Sequence, residues 1–393
     1  MSNADVLGRY GTALMHTFGT PPRVLVRGEG PWVWDADGVK YLDLLAGIAV
    51  NSLGHAHPRL VAAIAEQAGQ LMHISNLFAS EPQVALAEKL DALVSGDSGR
   101  QARTFLTNSG TEANEAALKA TRLTGRPRLV AMEGSFHGRT MGALSVTATA
   151  AYRDPFAPLP DNVTWVPFGD LEALGSAMGD DVAAVVVEPI QGESGAVTPP
   201  DGWLAGVRAL CDEHGALLWL DEVQTGIGRT GEWLASRGEG VVGDLVTLAK
   251  GLGGGFPIGA CVATGEAAAL LQAGHHGSTF GGNPLASRAA LTVLDVIESE
   301  GLLGHVRETG EWLVGAIEGM GLPQVSHVRG RGLLRGIVLN QPNAKEVWAA
   351  ALEAGFLVNA PRPDVIRLAP PLVITSEELQ GFVDALPQLV AAT

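Results

Sequence analysis

Five short segments of the chain are almost continuously apolar, and a turn or a polar residue follows each of them. They are ARTFLTNS (102–109), RLVAME (128–133), VAAVVVEPI (182–190), ALLWLDEV (216–223) and DLVTLAK (244–250). Continuous apolar character over this length is typical of strands that are covered on both faces in a parallel sheet. The pattern therefore predicts a central, mostly parallel sheet that contains at least these strands.

Between these strands, apolar residues recur at the spacing of helices. Examples are TEANEAALKATRLTG (111–125) and GWLAGVRALCDEHG (202–215), and the second ends at a glycine, which often terminates helices. Strands that alternate with helices predict an α/β fold with right-handed crossovers.

The C-terminal part of the chain follows another pattern. Residues 286–320 predict one long helix, and two strand-like segments follow, GLLRGIVLN (332–340) and VIRLAPPLVI (365–374). A capping box from Thr375 to Glu378 predicts the start of a terminal helix. This part is expected to form a smaller α+β lobe.

The pattern divides the chain into three predicted regions. Residues 1–50 are an N-terminal segment that packs with the small domain, residues 51–285 are the large domain, and residues 286–393 are the small C-terminal domain. The alternating segment at 23–45 predicts a small hairpin within the first region.

Composition narrows the classes of partner. With 46% hydrophobic residues the chain can bury a large core, and its net charge of −16 argues against nucleic acid or an anionic membrane as partner. Cys211 and Cys261 are the only cysteines, which fits a reducing cytoplasm. No signal-peptide pattern and no stretch of ~20 apolar residues are present, so a cytoplasmic protein is expected.

Three candidate chemical groups stand where predicted strands end, which is the side of an open α/β sheet where ligands bind. The first is Ser109-Gly110-Thr111, between the strand at 102–109 and a helix. Free N–H groups of a helix's first turn bind phosphate, Gly110 allows the backbone to approach, and Thr111 adds a hydroxyl. The alternative is a serine or threonine that only caps the helix.

The second group is Asp221, which follows five apolar residues and is expected to be buried. A buried carboxylate is costly unless it meets a positive partner. That partner is either the protonated nitrogen of a pyridine ring or an arginine of the chain.

The third group is Lys250, one of only five lysines, which ends an apolar run and precedes Gly251, Gly253, Gly254 and Gly255. A partly desolvated lysine has a lowered pKa and can form a Schiff base with an aldehyde. The glycines are then expected to keep the space beside the amine open. A solvated lysine before a flexible loop is the alternative.

Phosphate site, carboxylate and amine together match the phosphate, ring nitrogen and aldehyde of pyridoxal phosphate. A nicotinamide cofactor is the competing interpretation, because GIGRTG (226–231) satisfies the GxGxxG pattern. It is disfavoured, since Asp221 and Glu222 would lie close to a pyrophosphate and the following helix candidate, EWLASRG (232–238), is too short. The histidines lack companion cysteines at zinc-finger spacing, so no metal site is expected.

The chain as a whole resembles the class-III pyridoxal-phosphate-dependent aminotransferases, and among them the acetylornithine aminotransferase group. The motifs that carry the resemblance are VLVRGEGPWVWDADG, LDLLAGIAVNSLGHAHP, NSGTEANEAALK, FHGRTMGALS, VVVEPIQGESG, LDEVQTGIGRTG, LAKGLGGGFPIGA and GSTFGGNPLA. The resemblance implies a fold-type-I architecture, with a large cofactor-binding domain, a smaller α+β domain, and a homodimer whose active sites lie between the subunits.

The resemblance also implies a role for each site residue. For the cofactor, it makes Lys250 the Schiff-base lysine and Asp221 the partner of the ring nitrogen; Gly110 and Thr111 form the phosphate site with Thr279 of the partner subunit, Phe136 stacks on the ring, and the pocket is completed by Glu222, Val223 and Gln224. For the substrate, it implies that Arg139 binds the carboxylate, that Ser278 lies beside the substrate, and that Glu193 and Arg367 form a switch pair.

The implied activity is transfer of the ω-amino group of N2-acetyl-L-ornithine to 2-oxoglutarate, giving N-acetyl-L-glutamate 5-semialdehyde and L-glutamate, a step of arginine biosynthesis. Ornithine, succinylornithine, succinyldiaminopimelate and 4-aminobutyrate are alternative amino donors. An aminomutase or a racemase on the same fold is the alternative from another reaction class.

Overall fold

The computed structural model describes residues 2–160 and 162–391. Its strands are β1 Leu25–Glu29, β2 Trp32–Asp35, β3 Lys40–Asp43, β4 Ala102–Thr107, β5 Arg128–Met132, β6 Asn162–Val166, β7 Val182–Val187, β8 Leu217–Asp221, β9 Leu245–Leu248, β10 Gly259–Thr264, β11 Val325–Arg331, β12 Leu334–Leu339, β13 Phe356–Leu357, β14 Asn359–Arg362 and β15 Val365–Leu368. Its α-helices are α1 Asn3–Ala13, α2 Ala46–Ala49, α3 Pro58–Gln70, α4 Glu81–Ser95, α5 Gly110–Arg122, α6 Met141–Ser145, α7 Ala150–Arg153, α8 Leu171–Ala177, α9 Trp203–His214, α10 Ala235–Gly238, α11 Pro284–Ser299, α12 Leu302–Gly319, α13 Ala344–Glu353 and α14 Ser376–Ala391.

A seven-stranded sheet in the order β4-β10-β9-β8-β7-β5-β6 forms the centre of the molecule. All neighbouring strands are parallel except at β10, which runs antiparallel to both β4 and β9. The five strands predicted from apolar runs all lie in this sheet, so the predicted mostly parallel α/β fold is confirmed. Strands β6 and β10 were not predicted.

Both faces of this sheet are covered, which explains the continuous apolar runs. Every residue of β7 is buried, and successive side chains belong to opposite cores: Val185 packs in one cluster and Val186 in the other. Helix α5 supplies small buried residues such as Ala116 to the second cluster. Among the described residues, none of the helices combines the length and the apolarity needed to cross a membrane.

The parallel arrangement places several strand ends at one edge of the sheet. Strand β4 runs in the same direction as β8 and β9, because β10 is antiparallel to both of its neighbours. Asp221 is the last residue of β8, Lys250 lies two residues beyond β9, and Gly110 begins the helix after β4. Three segments distant in sequence therefore meet at the carboxyl edge of the sheet.

The C-terminal part contains an antiparallel sheet in the order β11-β12-β15-β14. A second small sheet, β1-β2-β3-β13, joins the two ends of the chain, because β13 pairs in parallel with β3 through Phe356 opposite Leu42 and Leu357 opposite Asp43. The N-terminal hairpin thus pairs with a strand of the region 286–393. The proposed domain boundaries themselves remain a prediction.

The prediction of one long helix over 286–320 was wrong. Two helices, α11 and α12, occupy this segment, and Gly301 separates them in the left-handed conformation at φ 65°. Glycine adopts this conformation without a steric penalty, so the chain changes direction here. The predicted capping box of α14 is confirmed: Thr375 N donates to Glu378 Oε2 at 3.0 Å and Glu378 N donates to Thr375 Oγ1 at 3.2 Å.

Candidate active site

A cavity of about 450 Å³ opens at the carboxyl edge of the central sheet. Most of the residues predicted for the site line it: Gly110, Thr111, Phe136, Arg139, Glu193, Asp221, Val223, Gln224 and Lys250. Other lining residues include Asn114, His137 and Glu188, which the sequence interpretation did not identify. Within the described part of the chain, no three histidine, cysteine, aspartate or glutamate side chains are grouped as a metal site would require.

The carboxylate of Asp221 is buried and fully engaged by hydrogen bonds. His137 Nδ1 lies 2.7 Å from Oδ2, Asn114 Nδ2 donates to the same oxygen at 2.9 Å, and Val223 N donates to Oδ1 at 3.0 Å. The partner of Asp221 within the chain is therefore His137, and not the arginine that was considered as the alternative. Burial opposes a charge on His137, but the hydrogen bond and the charge of Asp221 outweigh it and raise the pKa of His137.

Lys250 begins a short 3₁₀ turn after β9 and has a φ of 45°, in the left-handed region. For a residue other than glycine this backbone costs about 1 kcal/mol or more. Burial lowers the pKa of Lys250, while the nearby carboxylate of Glu193 opposes that shift. Its amine makes no hydrogen bond or ion pair with residues 2–160 or 162–391. A half-buried lysine with a lowered pKa is suited to act as a nucleophile.

The four glycines after Lys250 were predicted to keep the space beside its amine open. In the structure their main effect is on the backbone conformation of the turn. Of the four, only Gly255 lines the cavity. Gly254 and Gly255 have φ values of 57° and 114°, and a Cβ on Gly254 would lie 2.9 Å from Val293 on α11. The glycines let the turn form and let a helix pack closely.

The start of α5 forms part of the cavity wall. Ser109 is the N-cap, since its Oγ accepts from Glu112 N at 3.3 Å, so the capping alternative holds for this residue. Gly110 follows with no room for a side chain: a Cβ there would lie 2.8 Å from Cγ1 of Val223. Thr111 Oγ1 lies 2.7 Å from Thr140 Oγ1 at the cavity rim. Backbone N–H groups at such a helix start are positioned to hold an anion.

Glu193 and Arg367 form an ion pair at the side of the cavity, with Nη1 of Arg367 2.7 Å from Oε1 of Glu193. Arg367 is fully buried, and it also donates to Gly192 O at 3.0 Å, Gln224 Oε1 at 3.2 Å and Asn359 Oδ1 at 2.8 Å. Burial would raise the pKa of Glu193, but the charge of Arg367 prevails and lowers it. The pair joins the small lobe to the large one.

Four predicted residues do not line the cavity: Arg367, which is buried behind Glu193, and Glu222, Ser278 and Thr279. The side chain of Glu222 accepts from Ala235 N at 3.1 Å and from Ser236 N at 2.8 Å, which fixes the loop after β8. Ser278 and Thr279 line a separate groove of about 340 Å³. Asn108 lines both spaces, and its Nδ2 lies 3.2 Å from Ser278 Oγ.

Glu188 is the most informative residue that sequence reasoning missed. Its carboxylate bridges two loops of the cavity, accepting from Phe136 N at 2.9 Å and from Gly192 N at 3.2 Å. Burial raises the pKa of Glu188 to about 7, although the neighbouring His137 opposes the shift. The signal was present, because Glu188 directly follows β7 just as Asp221 ends β8.

The sequence profile of the aminotransferase class-III family matches residues 15–390. The chain belongs to the class-III aminotransferases. Members of this family depend on pyridoxal phosphate, so the predicted cofactor and the class of enzyme are confirmed.

Individual relatives agree with this assignment over the full length. The acetylornithine aminotransferase of Streptomyces coelicolor is 55% identical over 391 residues, covering 99% of this chain and 96% of that protein. The solved N-acetylornithine aminotransferase of Stenotrophomonas maltophilia is 39% identical with a TM-score of 0.84, covering 98% of each chain. An ornithine aminotransferase of Toxoplasma gondii, with PLP at partial occupancy in its active site, is 32% identical with a TM-score of 0.92 over 100% of this chain and 95% of that one.

The raised pKa of Glu188 gives this class-III aminotransferase a testable pH dependence. Because the folded pKa of about 7 lies above the ordinary 4.5, the folded protein keeps a proton that the unfolded chain releases. The contribution of Glu188 to the free energy of unfolding therefore falls between about pH 4.5 and about pH 7, by roughly 1.4 kcal/mol for each pH unit crossed. Glu188→Gln is expected to remove this dependence in urea unfolding of the cofactor-free protein.

The control is Glu133→Gln at the end of β5, where the glutamate is exposed. It should leave the pH dependence of the unfolding free energy unchanged. Parallel pH profiles for wild type and Glu188→Gln would contradict the prediction.

Proposed function

We propose that this class-III aminotransferase moves the ω-amino group of N2-acetyl-L-ornithine to 2-oxoglutarate, yielding N-acetyl-L-glutamate 5-semialdehyde and L-glutamate for arginine biosynthesis. The observation that carries the proposal is the 55% identity, over 99% of the chain, to the Streptomyces coelicolor acetylornithine aminotransferase. The cavity supports it with an amine, a buried carboxylate and two arginines within one space or at its wall.

The residues of the cavity fit pyridoxal phosphate, which when bound supplies an aldehyde and an electron-accepting ring. Gly110 and Thr111 would hold the phosphate through the free backbone N–H groups at the start of α5. The missing side chain of Gly110 lets Val223 pack directly against this helix start. Asp221 would keep a proton on the ring nitrogen, and Phe136 would lie against the ring.

The pocket is completed by Val223 and Gln224, which line the cavity directly after Asp221. Glu222 lies outside the lining of this pocket, and its side chain hydrogen-bonds to the loop at 235–236. Val223 and Gln224 therefore contribute to the cofactor pocket, whereas the neighbouring Glu222 holds the loop at 235–236.

Lys250 does the proton chemistry. Its lowered pKa, caused by burial, leaves a larger fraction of the amine neutral, and the amine has no competing hydrogen bond within the described chain. The neutral amine would be the group that holds the cofactor through its aldehyde. The same Nζ, once free, would accept the proton that leaves the amine-bearing carbon of the substrate.

The two substrates place their carboxylates differently, so the site needs an adjustable cation. Arg139, exposed at the cavity mouth, binds the carboxylate that lies far from the reacting ω-carbon. Glu193 neutralises Arg367 while the ω-amine reacts, and releases it to grip the carboxylate beside the reacting carbon of 2-oxoglutarate. The observed ion pair at 2.7 Å supports the first of these two states.

A second copy of the chain completes the site. Segments 72–78 and 278–281 lie together, since Asn76 Nδ2 donates to Ser278 O and to Gly281 O, each at 3.1 Å. They expose large apolar side chains that a partner would cover, at 85% for Leu77 and 59% for Phe280. In the homodimer Ser278 then lies beside substrate and Thr279 reaches the phosphate of the neighbouring site. Two free, buried cysteines support a location in a reducing cytoplasm.

Ornithine is the second candidate donor, because this chain superposes on the Toxoplasma gondii ornithine aminotransferase with a TM-score of 0.92. The two donors differ at the α-nitrogen, which is charged in ornithine and an uncharged amide in acetylornithine. Two half-reactions separate these donors, and they also separate transamination from an aminomutase or racemase.

We expect the absorbance of the bound cofactor to change on addition of N-acetylornithine alone and to recover on addition of 2-oxoglutarate. The rate with N-acetylornithine should exceed the rates with ornithine, succinylornithine, succinyldiaminopimelate and 4-aminobutyrate. A higher rate with one of these donors would reassign the substrate. Turnover that never requires 2-oxoglutarate would reject the aminotransferase.

Lys250→Ala is expected to abolish both half-reactions, by several orders of magnitude, because no other amine lines the cavity among the described residues. Borohydride treatment followed by peptide mass spectrometry should attach the cofactor to Lys250 in the wild type. The matched control is Lys345→Ala on α13, where the lysine is exposed, and it should keep full activity. Attachment of the cofactor to another lysine would refute the assignment.

Arg367→Lys tests the proposed switch, because lysine cannot make the two parallel hydrogen bonds of a guanidinium to a carboxylate. The 2-oxoglutarate half-reaction should slow by about 10- to 100-fold, while the acetylornithine half-reaction changes much less. Glu193→Gln should shift preference toward donors with a carboxylate beside the amine. Stopped-flow measurement of each half-reaction checks both results.

Arg362→Lys is the matched control in the same small lobe, since Arg362 donates to Ser194 Oγ at 2.9 Å and does not line the cavity. It should leave both half-reactions near the wild-type rate. Equal losses in the two half-reactions of Arg367→Lys would reduce the ion pair to a structural role.

A further inference from the structure

Aromatic rings hold Arg139 at the mouth of the cavity. The guanidinium carbon lies 3.5 Å from the ring centroid of Tyr152 and 5.6 Å from that of Phe136. Within residues 2–160 and 162–391, Arg139 makes no hydrogen bond and no ion pair. A distance of 3.5 Å requires the cation to lie over the face of the ring, where the attraction between cation and π electrons is strongest.

Tyr152 is itself held in place by its neighbours. Its ring meets Phe136 edge-on, with centroids 6.5 Å apart and an interplanar angle of 90°. The next residue on α7, Arg153, lies 4.6 Å over the ring of Trp165 on β6. Helix α7 is thereby tied to the edge strand of the central sheet, and Tyr152 gives Arg139 a fixed support.

The geometry points to Tyr152 as a positioning residue for the substrate carboxylate, acting through Arg139. The inference rests on the proposed function, in which Arg139 binds the carboxylate remote from the reacting amine. A carboxylate partner in the protein would hold Arg139 as firmly but would compete with the substrate for the same N–H groups. An aromatic ring contacts the face of the guanidinium and leaves all five N–H donors at its edge free.

The inference makes ring stacking, and not the tyrosine hydroxyl, the operative interaction. No hydrogen bond of that hydroxyl is present among the described residues. Tyr152→Phe should therefore behave as wild type, whereas Tyr152→Leu should let Arg139 move away from the position in which it meets the substrate.

The test is binding of an unreactive ligand to the cofactor-loaded enzyme by isothermal titration calorimetry. N-acetyl-L-norvaline keeps the acetamide and the carboxylate of acetylornithine but lacks the reacting amine, and N-acetyl-L-norvalinamide replaces the carboxylate by an uncharged amide. Tyr152→Leu should raise the Kd of the acid about three- to tenfold, the range expected for a cation–π contact. The Kd of the amide should not change.

Three further variants isolate the effect. Phe156→Leu, which removes an exposed ring (55% accessible) in the next turn of the chain, should bind the acid as wild type does. Arg139→Gln should weaken binding of the acid, and addition of Tyr152→Leu to that variant should weaken it no further. Circular dichroism and thermal unfolding verify that each variant folds.

Each contrary outcome has its own meaning. An unchanged Kd of the acid in Tyr152→Leu, an equal rise for acid and amide, or an additive loss in the double variant overturns the positioning role and leaves the proposed function intact. Wild-type enzyme that binds acid and amide equally overturns the carboxylate role of Arg139, and the inference about Tyr152 falls with it.

Discussion

The burial of one carboxylate, that of Asp221, governs the geometry of the whole cavity. A carboxylate removed from water must recover its lost solvation from hydrogen-bond donors in the protein. His137, Asn114 and the backbone N–H of Val223 provide them, and they belong to a loop, to helix α5 and to the turn after β8. Three segments of the chain are thereby fixed around one carboxylate, and a shift of any of them would remove a hydrogen bond from it.

The charged groups around the cavity have distinct positions, and the net charge of the chain gives no indication of them. Asp221 and Glu188 lie on the floor formed by strand ends, Lys250 and Arg139 line the space itself, and Glu193 lies at its side with Arg367 buried behind it. The attraction of an anion into this cavity depends on where Lys250 and Arg139 lie within it, and not on the net charge of −16.

Much of this arrangement could be predicted from the sequence, because its main signals are local. Buried strands appear as apolar runs, and the first polar residue after a run marks the edge of the sheet, which identified Asp221 and Lys250. The same rule applied to VVVE would have identified Glu188. The pleat of a strand sends successive side chains in opposite directions, so Asp221 and Glu222 could not both face the cavity.

The features that could not be predicted depend on contacts distant in sequence. Strand β10 contains Gly259 and several small residues, and only its position between β4 and β9 makes it a strand. Gly301 breaks a helix where other glycines, such as Gly310 within α12, do not. The contact of Arg139 with Tyr152 joins a loop to a short helix, and no spacing in the sequence predicts it.

The pairing of β3 with β13 has a consequence for how the chain acquires its structure during synthesis. The two strands are more than 300 residues apart, so the first sheet of the molecule lacks its last strand until the ribosome has added all the residues between them. At about 5–20 residues per second the N-terminal hairpin waits roughly 15–60 s for its partner. Its unpaired edge is open to other chains throughout that time, so this stretch is where a nascent chain most needs protection.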